Sequence, residues 1–167
     1  MKHHLPAIAL LGAVAFSAHA NTTDWGQHGP LELAAVVTPV GAFEDAYLFE
    51  LADSTGLFST AVSNNLNGLL GLTGGMVSLF REAGAVDVAL GSFAFDDKTG
   101  NISHAFGALA AGDYFYRVTG MGTGSIGGFY TISSAVSPVP EAQTVTLLFS
   151  GLGVMGFLAL RQRRSQG

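Results

Sequence analysis

The stretch "FEDAYLFEL", residues 43–51, places one carboxylate, Asp45, in phase with Phe43, Tyr47, Phe49 and Leu51. Alternate side chains of an extended strand share a face, so Asp45 is directed with four large hydrophobes. Either the strand starts after Asp45, whose carboxylate then accepts N–H groups of the preceding turn and sets the register, or the carboxylate has a buried partner, since burial alone is costly. The turn chemistry favours the first reading. A sharper alternative is a calcium site in which Glu44 and Asp45 join another loop carboxylate such as Asp113, although no loop has the spacing of a known calcium motif.

Other chemistry-bearing groups are sparse. "FDDKTGNIS", residues 95–103, crowds Asp96, Asp97, Thr99 and Asn101 without the alternate-oxygen spacing of a calcium loop, which reads as a polar hairpin turn. "GMGTGSIGG", residues 120–128, has no Lys-Ser/Thr and no helix to follow, so it reads as a flexible hairpin connection and not as a phosphate loop. Beyond residue 20 the histidines are His28 and His104 alone, too scattered for a zinc site, and no Gly-x-Ser-x-Gly elbow is present. Tyr114, Tyr116, Phe129 and Tyr130 would make a sugar-stacking platform if exposed, but their strand period reads as core first. These groups predict no enzyme activity and no bound cofactor.

The elements that must position these groups are short apolar or alternating runs at 31–39, 46–52, 57–62, 76–82, 86–95, 104–110, 113–121 and 128–136. The stretch 64–75 has helix-like leucine spacing but is broken by three Asn and four Gly, and reads as a loop. Trp25, near the expected mature N-terminus, lies outside these runs and would cover a sandwich edge. The pattern predicts an all-β fold, an antiparallel two-sheet β-sandwich of the jelly-roll or immunoglobulin-like kind with about seven or eight strands. The chain has no cysteine, so the core must hold without disulfides. Residues 21–137 carry three basic and eleven acidic side chains, a net charge of about −8, which argues against nucleic acid and anionic membrane partners.

Two apolar runs flank this domain. Residues 1–20 combine a basic start, an apolar middle and the small-residue exit Ala18-His19-Ala20, the pattern of a cleaved secretory signal peptide, so the mature chain is expected to begin at Asn21. After the extended Pro-rich linker 138–143 comes "TVTLLFSGLGVMGFLAL", residues 144–160, which as a helix would span about 25 Å, the short edge of what crosses a bilayer. Arg161, Arg163 and Arg164, in the tail 161–167, would stop transfer and stay on the cytoplasmic side of the inner membrane.

The order Val139-Pro140-Glu141, apolar helix, arginine cluster resembles the PEP-CTERM sorting signal of Gram-negative bacteria that make extracellular polysaccharide. Ala142 stands where that family usually has a second proline. The resemblance implies an exosortase, an integral-membrane protease, as partner, and release to the cell surface or a biofilm matrix. "FEDAYLFEL" with "LAAGDYFYRVTG" and "GGFYTISSAV" is similar to the FxDxF family of PEP-CTERM proteins, Phe43, Asp45, Tyr47 and Phe49 matching its motif with Tyr47 in place of the second Phe. The closing strands also look like bacterial pre-peptidase C-terminal domains, small β-sandwiches. The expectation is a non-enzymatic exported surface or matrix protein; the alternative is an exopolysaccharide- or calcium-binding module.

Overall fold

The computed structural model describes residues 19–138. The signal-peptide residue Ala18, the sorting residues Val139, Pro140 and Glu141, the apolar run 144–160 and the arginines 161, 163 and 164 lie outside the described residues.

Nine strands follow one another: β1 (His19–Gln27), β2 (Leu31–Thr38), β3 (Gly41–Leu51), β4 (Thr55–Ser63), β5 (Leu72–Arg81), β6 (Val88–Phe95), β7 (His104–Leu109), β8 (Gly112–Gly122) and β9 (Gly128–Pro138). They form two sheets, ordered β1-β3-β8-β5-β6 and β2-β9-β4-β7. The eight expected runs each correspond to one of β2 to β9; β1 is additional, and it pairs in parallel with β3 whereas every other pairing is antiparallel. Among the described residues the only helical element is one 3-10 turn, Thr99–Asn101.

Alternation explains which residues meet between the sheets. Phe43, Asp45, Tyr47, Phe49 and Leu51 of β3 are all buried, as are Tyr114, Tyr116 and Val118 of β8 and Val77 and Leu79 of β5. The second sheet contributes Leu57 and Ala61 of β4 and Tyr130, Ile132 and Ser134 of β9. Aromatic rings fill much of this space: Phe43 stacks on Tyr130 with centroids 5.6 Å apart, and Phe49 lies 5.2 Å from Tyr116. Trp25 sits within β1 and lies 4.9 Å from the Tyr47 ring, so it covers the sandwich edge from a strand and not from a loop.

Two connections differ from the sequence expectation. Residues 96–103 join β6 to β7 and residues 123–127 join β8 to β9, and in both cases the two strands belong to different sheets, so neither link is a hairpin. Turn-forming residues show where the chain reverses but not which sheet accepts the next strand. The glycine-rich link is also tightly packed. Gly127 has φ of 117°, and a Cβ there would run into the carbonyl oxygen of Thr38. Asn64 to Gly71 form a loop as expected, with Asn67 in the left-handed region (φ 42°), but β5 already begins at Leu72.

Candidate functional site

Asp45 lies in the middle of β3, not at its start, and is 5% exposed. The expectation of a turn-capping carboxylate is therefore replaced by the other alternative, a buried partner. Tyr130, on β9 of the opposite sheet, places its hydroxyl 2.6 Å from Asp45 Oδ2 and donates to it. The Tyr47 hydroxyl lies 2.6 Å from that of Tyr130. A phenol has a single proton; since Tyr130 gives its own to the carboxylate, Tyr47 is the donor in the second bond. The chain Tyr47 to Tyr130 to Asp45 thus runs from one sheet to the other and back, and its direction is set by the acceptor-only carboxylate.

The electrostatics follow from burial. Desolvation pushes the Asp45 carboxyl above its ordinary value, opposed by the Tyr130 hydrogen bond and by the backbone N–H of Asn21 on β1. Desolvation likewise pushes the Tyr47 phenol up to about 12, and Tyr130 is raised further, by desolvation first and then by its hydrogen bonds to Asp45 and Tyr47. Neither phenol ionises near neutrality, so the pair serves as neutral donors to one acid.

A second polar set bridges the sheets further along β9. Ser134, fully buried, lies 2.9 Å from the Tyr116 hydroxyl and 2.8 Å from His28 Nε2. His28 Nδ1 is 2.6 Å from the Gly29 carbonyl oxygen, which only accepts, so Nδ1 donates to it, and in the Nδ1–H tautomer Nε2 accepts from Ser134. Tyr116 then donates to Ser134, and burial pushes its phenol up to about 12.

The structure brings Phe43, Asp45, Tyr47 and Phe49 onto one inward face, as their phase implies. It does not assemble the calcium set. Glu44 points to the other face of β3, where it pairs with Arg117 at 3.3 Å, and Asp113 is opposite Glu50, at the far end of the β3–β8 pair from Asp45. Among the described residues no group of three or more His, Cys, Asp or Glu side chains converges on a common point. Tyr114, Tyr116 and Tyr130 are core residues and do not form a sugar platform. In the 95–103 turn the Asp96 carboxylate accepts the Lys98 N–H at 2.8 Å, an Asx turn. Ala20 lies in β1 opposite Glu44. A cleft of about 320 Å³ opens between β6 and β7, the edge strands of the two sheets, and Leu90, His104 and Phe106 are on its wall.

Sequence reasoning missed Tyr130 and Asn21 as partners of Asp45. The signal for Asn21 was weak: "NTTDWGQ" lacks apolar alternation because β1 is an edge strand in which only Thr23 and Trp25 are even half-buried. Among the described residues no helix is long and apolar enough to cross a membrane.

No curated protein matches the chain. Among solved structures it is similar to PliG of Aeromonas hydrophila, a periplasmic inhibitor of g-type lysozyme, at 13% identity over 72% of this chain and 100% of the other, with a TM-score of 0.48. It is similar also to the pre-peptidase C-terminal domain of collagenase from Bacillus anthracis, at 16% identity over 73% of this chain and 98% of the other, with a TM-score of 0.40. At TM-scores below 0.5 these likenesses settle neither fold nor activity. Residues 138–164 match the family described as the PEP-CTERM protein-sorting motif. The chain carries that motif immediately after β9, and the motif is the mark of an exported protein sorted by an exosortase.

Proposed function

We propose that the chain is a non-enzymatic surface or extracellular-matrix protein of a Gram-negative bacterium, exported behind a cleaved signal peptide, held briefly in the inner membrane by residues 144–160 and released by an exosortase acting near Pro140 and Glu141. The observation that carries this reading is the sorting motif at 138–164, joined directly to a folded β domain. A proline-stiffened extended linker outside a bilayer presents its backbone to a membrane-embedded protease, and a short apolar helix with three arginines behind it keeps the linker there. Phe43, Asp45, Tyr47 and Phe49 resemble the motif of the FxDxF group of such proteins, and their role in this reading is to build the core that survives outside the cell without disulfides. The decisive variant replaces Pro140 and Glu141 with Ala. The precursor is expected to accumulate in the inner membrane fraction, and unchanged release to the surface or medium would overturn the proposal.

A second reading is a matrix-glycan-binding module, favoured by the cleft between β6 and β7 with Phe106 and His104 on its wall. Retention of the protein in affinity electrophoresis gels containing the host exopolysaccharide, lost on Phe106→Ala, would support it. Unretarded migration would count against it.

A further inference from the structure

The buried carboxylate is served from the opposite sheet by Tyr130 and lies on the strand next to the edge strand β1. Tyr130 takes Oδ2 from across the sandwich. From the edge side, β1 lies parallel to β3 with Asn21 directly opposite Asp45, and the register continues unbroken through Thr22–Ala46, Thr23–Tyr47 and Asp24–Leu48. Asn21 is therefore the residue of β1 that lies beside Asp45, and its backbone N–H is the second group favouring the ionised acid. Asn21 is also the residue after Ala18-His19-Ala20, the expected signal-peptide exit. Cleavage there removes only His19 and Ala20 from β1 and leaves Asn21–Gln27 in place on β3. In the cleavage itself water adds across the Ala20–Asn21 peptide bond: Ala20 leaves as a carboxylate on the signal peptide, and the Asn21 amide nitrogen becomes a free amine that is protonated at neutral pH.

We propose that Asp45 is the receptor site for the α-ammonium group created when the signal peptide is removed, so that maturation supplies the missing positive charge of a buried ion pair and locks β1 onto the sandwich. This rests on the export reading above. Before cleavage the carboxylate has one neutral side-chain donor, Tyr130, and among the described residues no salt bridge; the charged side chain nearest in sequence, Glu44, faces the other side of the sheet and is paired with Arg117. After cleavage the same nitrogen presents three donors and a unit charge to the carboxylate, and a charge-assisted bond replaces a neutral one. The ionisable groups around the pair are Tyr130 on β9 and Tyr47 on β3, both shifted upward and neutral over the working range, so the acid and the new amine are the two partners that titrate. The arrangement gives the FxDxF aspartate a purpose that a core position alone does not: it reads whether the leader has been removed at the correct bond.

The test uses the processed protein recovered from the host. Intact-mass and N-terminal sequencing first establish the start, expected at Asn21. Competitive labelling of amines across pH then compares the Asn21 α-amine with Lys98, the one lysine of the domain. The α-amine pKa is expected about one unit or more above the ordinary value near 8, with labelling at neutral pH slowed about tenfold or more. Asp45→Asn is expected to return both to ordinary values, and if that variant fails to fold the wild-type titration decides alone. An α-amine on Asn21 with an ordinary pKa and unhindered labelling would overturn the pairing while leaving export intact. A different starting residue would overturn the pairing through the position of cleavage, and an uncleaved chain would remove the export reading with it.

Discussion

Tyr130 and Ser134 project from the same inward face of β9 and each ties the second sheet to the first, yet Tyr130 reaches a carboxylate and Ser134 reaches a phenol and an imidazole. The Ser134 set is closed: Tyr116 donates to Ser134, Ser134 to His28, and His28 to the Gly29 carbonyl. Ser134 both donates and accepts in it, so the set behaves as a structural clasp. The Asp45 set ends on an acceptor-only group beside the strand that holds the expected cleavage site. A clasp could be replaced by well-packed hydrophobes at little cost, whereas an acid buried without a permanent cation is retained at a standing penalty. The difference sets the Asp45 end of the sandwich apart as the one that buries an acid.

The largest effect that would test this comparison is that of Tyr130→Phe. The change leaves the Asp45 carboxylate without its side-chain donor and Tyr47 without its acceptor, and is expected to destabilise the fold by about 2–4 kcal/mol, since hydrogen bonds to charged groups contribute more than neutral ones. Urea unfolding midpoints measure it. Ser134→Ala breaks two hydrogen bonds at once and is expected to cost about 1–3 kcal/mol, less than Tyr130→Phe because His28 is only half-buried and recovers water. A larger loss at Ser134 would reverse the ranking of the two sets. The two positions are about 13 Å apart along the strand, so the double variant is expected to be additive within about 0.5 kcal/mol. Strong coupling would mean that the sets act as one network.

The pH dependence sharpens the same contrast. In a chain whose Asn21 nitrogen is still an amide, the folded Asp45 carboxyl lies above its unfolded value of 3.8, so over the window between the two the folded state holds the proton more tightly. Stability from this group is then complete below the unfolded value and declines as pH rises through the folded one. Asp45→Asn is expected to remove that decline when thermal midpoints are compared between pH 3 and 7, and Ser134→Ala to leave it unchanged. With Asn21 as a free amine the ion pair opposes the upward shift, and the decline is expected to shrink or change sign.

How much of this was legible beforehand depends on whether the determinant is local. Period-2 alternation in Tyr114, Tyr116 and Val118 and in Tyr47, Phe49 and Leu51 locates β8 and β3 because each inward side chain is buried by the same rule. The phase of Asp45 was equally plain, but its partner lies 85 residues away on another sheet, and nothing in "FEDAYLFEL" points to Tyr130. β1 escaped notice because an edge strand held by backbone pairing needs no apolar stripe. Composition alone reads the glycine-rich 120–128 segment as flexible; the carbonyls of Thr38 and Pro39 that exclude a side chain at Gly127 and Gly122 come from the end of β2 and the turn after it, beyond any local reading.

The smallest expected effect comes from the residue next to Asp45. Glu44 and Asp45 are adjacent carboxylates on one strand, and the pleat sends them to opposite faces. Glu44 meets the Arg117 guanidinium at 3.3 Å with both side chains substantially exposed (51% and 40%), and the guanidinium also lies 4.6 Å over the Phe80 ring. Water and salt screen such a pair, and the ring contact persists without the carboxylate. Glu44→Gln is therefore expected to change stability by no more than about 0.5 kcal/mol, with a slight salt dependence. If Glu44→Gln proved as damaging as a substitution at Asp45, burial could not be what separates the two acids, and the assignment of Asp45 to a built site would lose its physical basis.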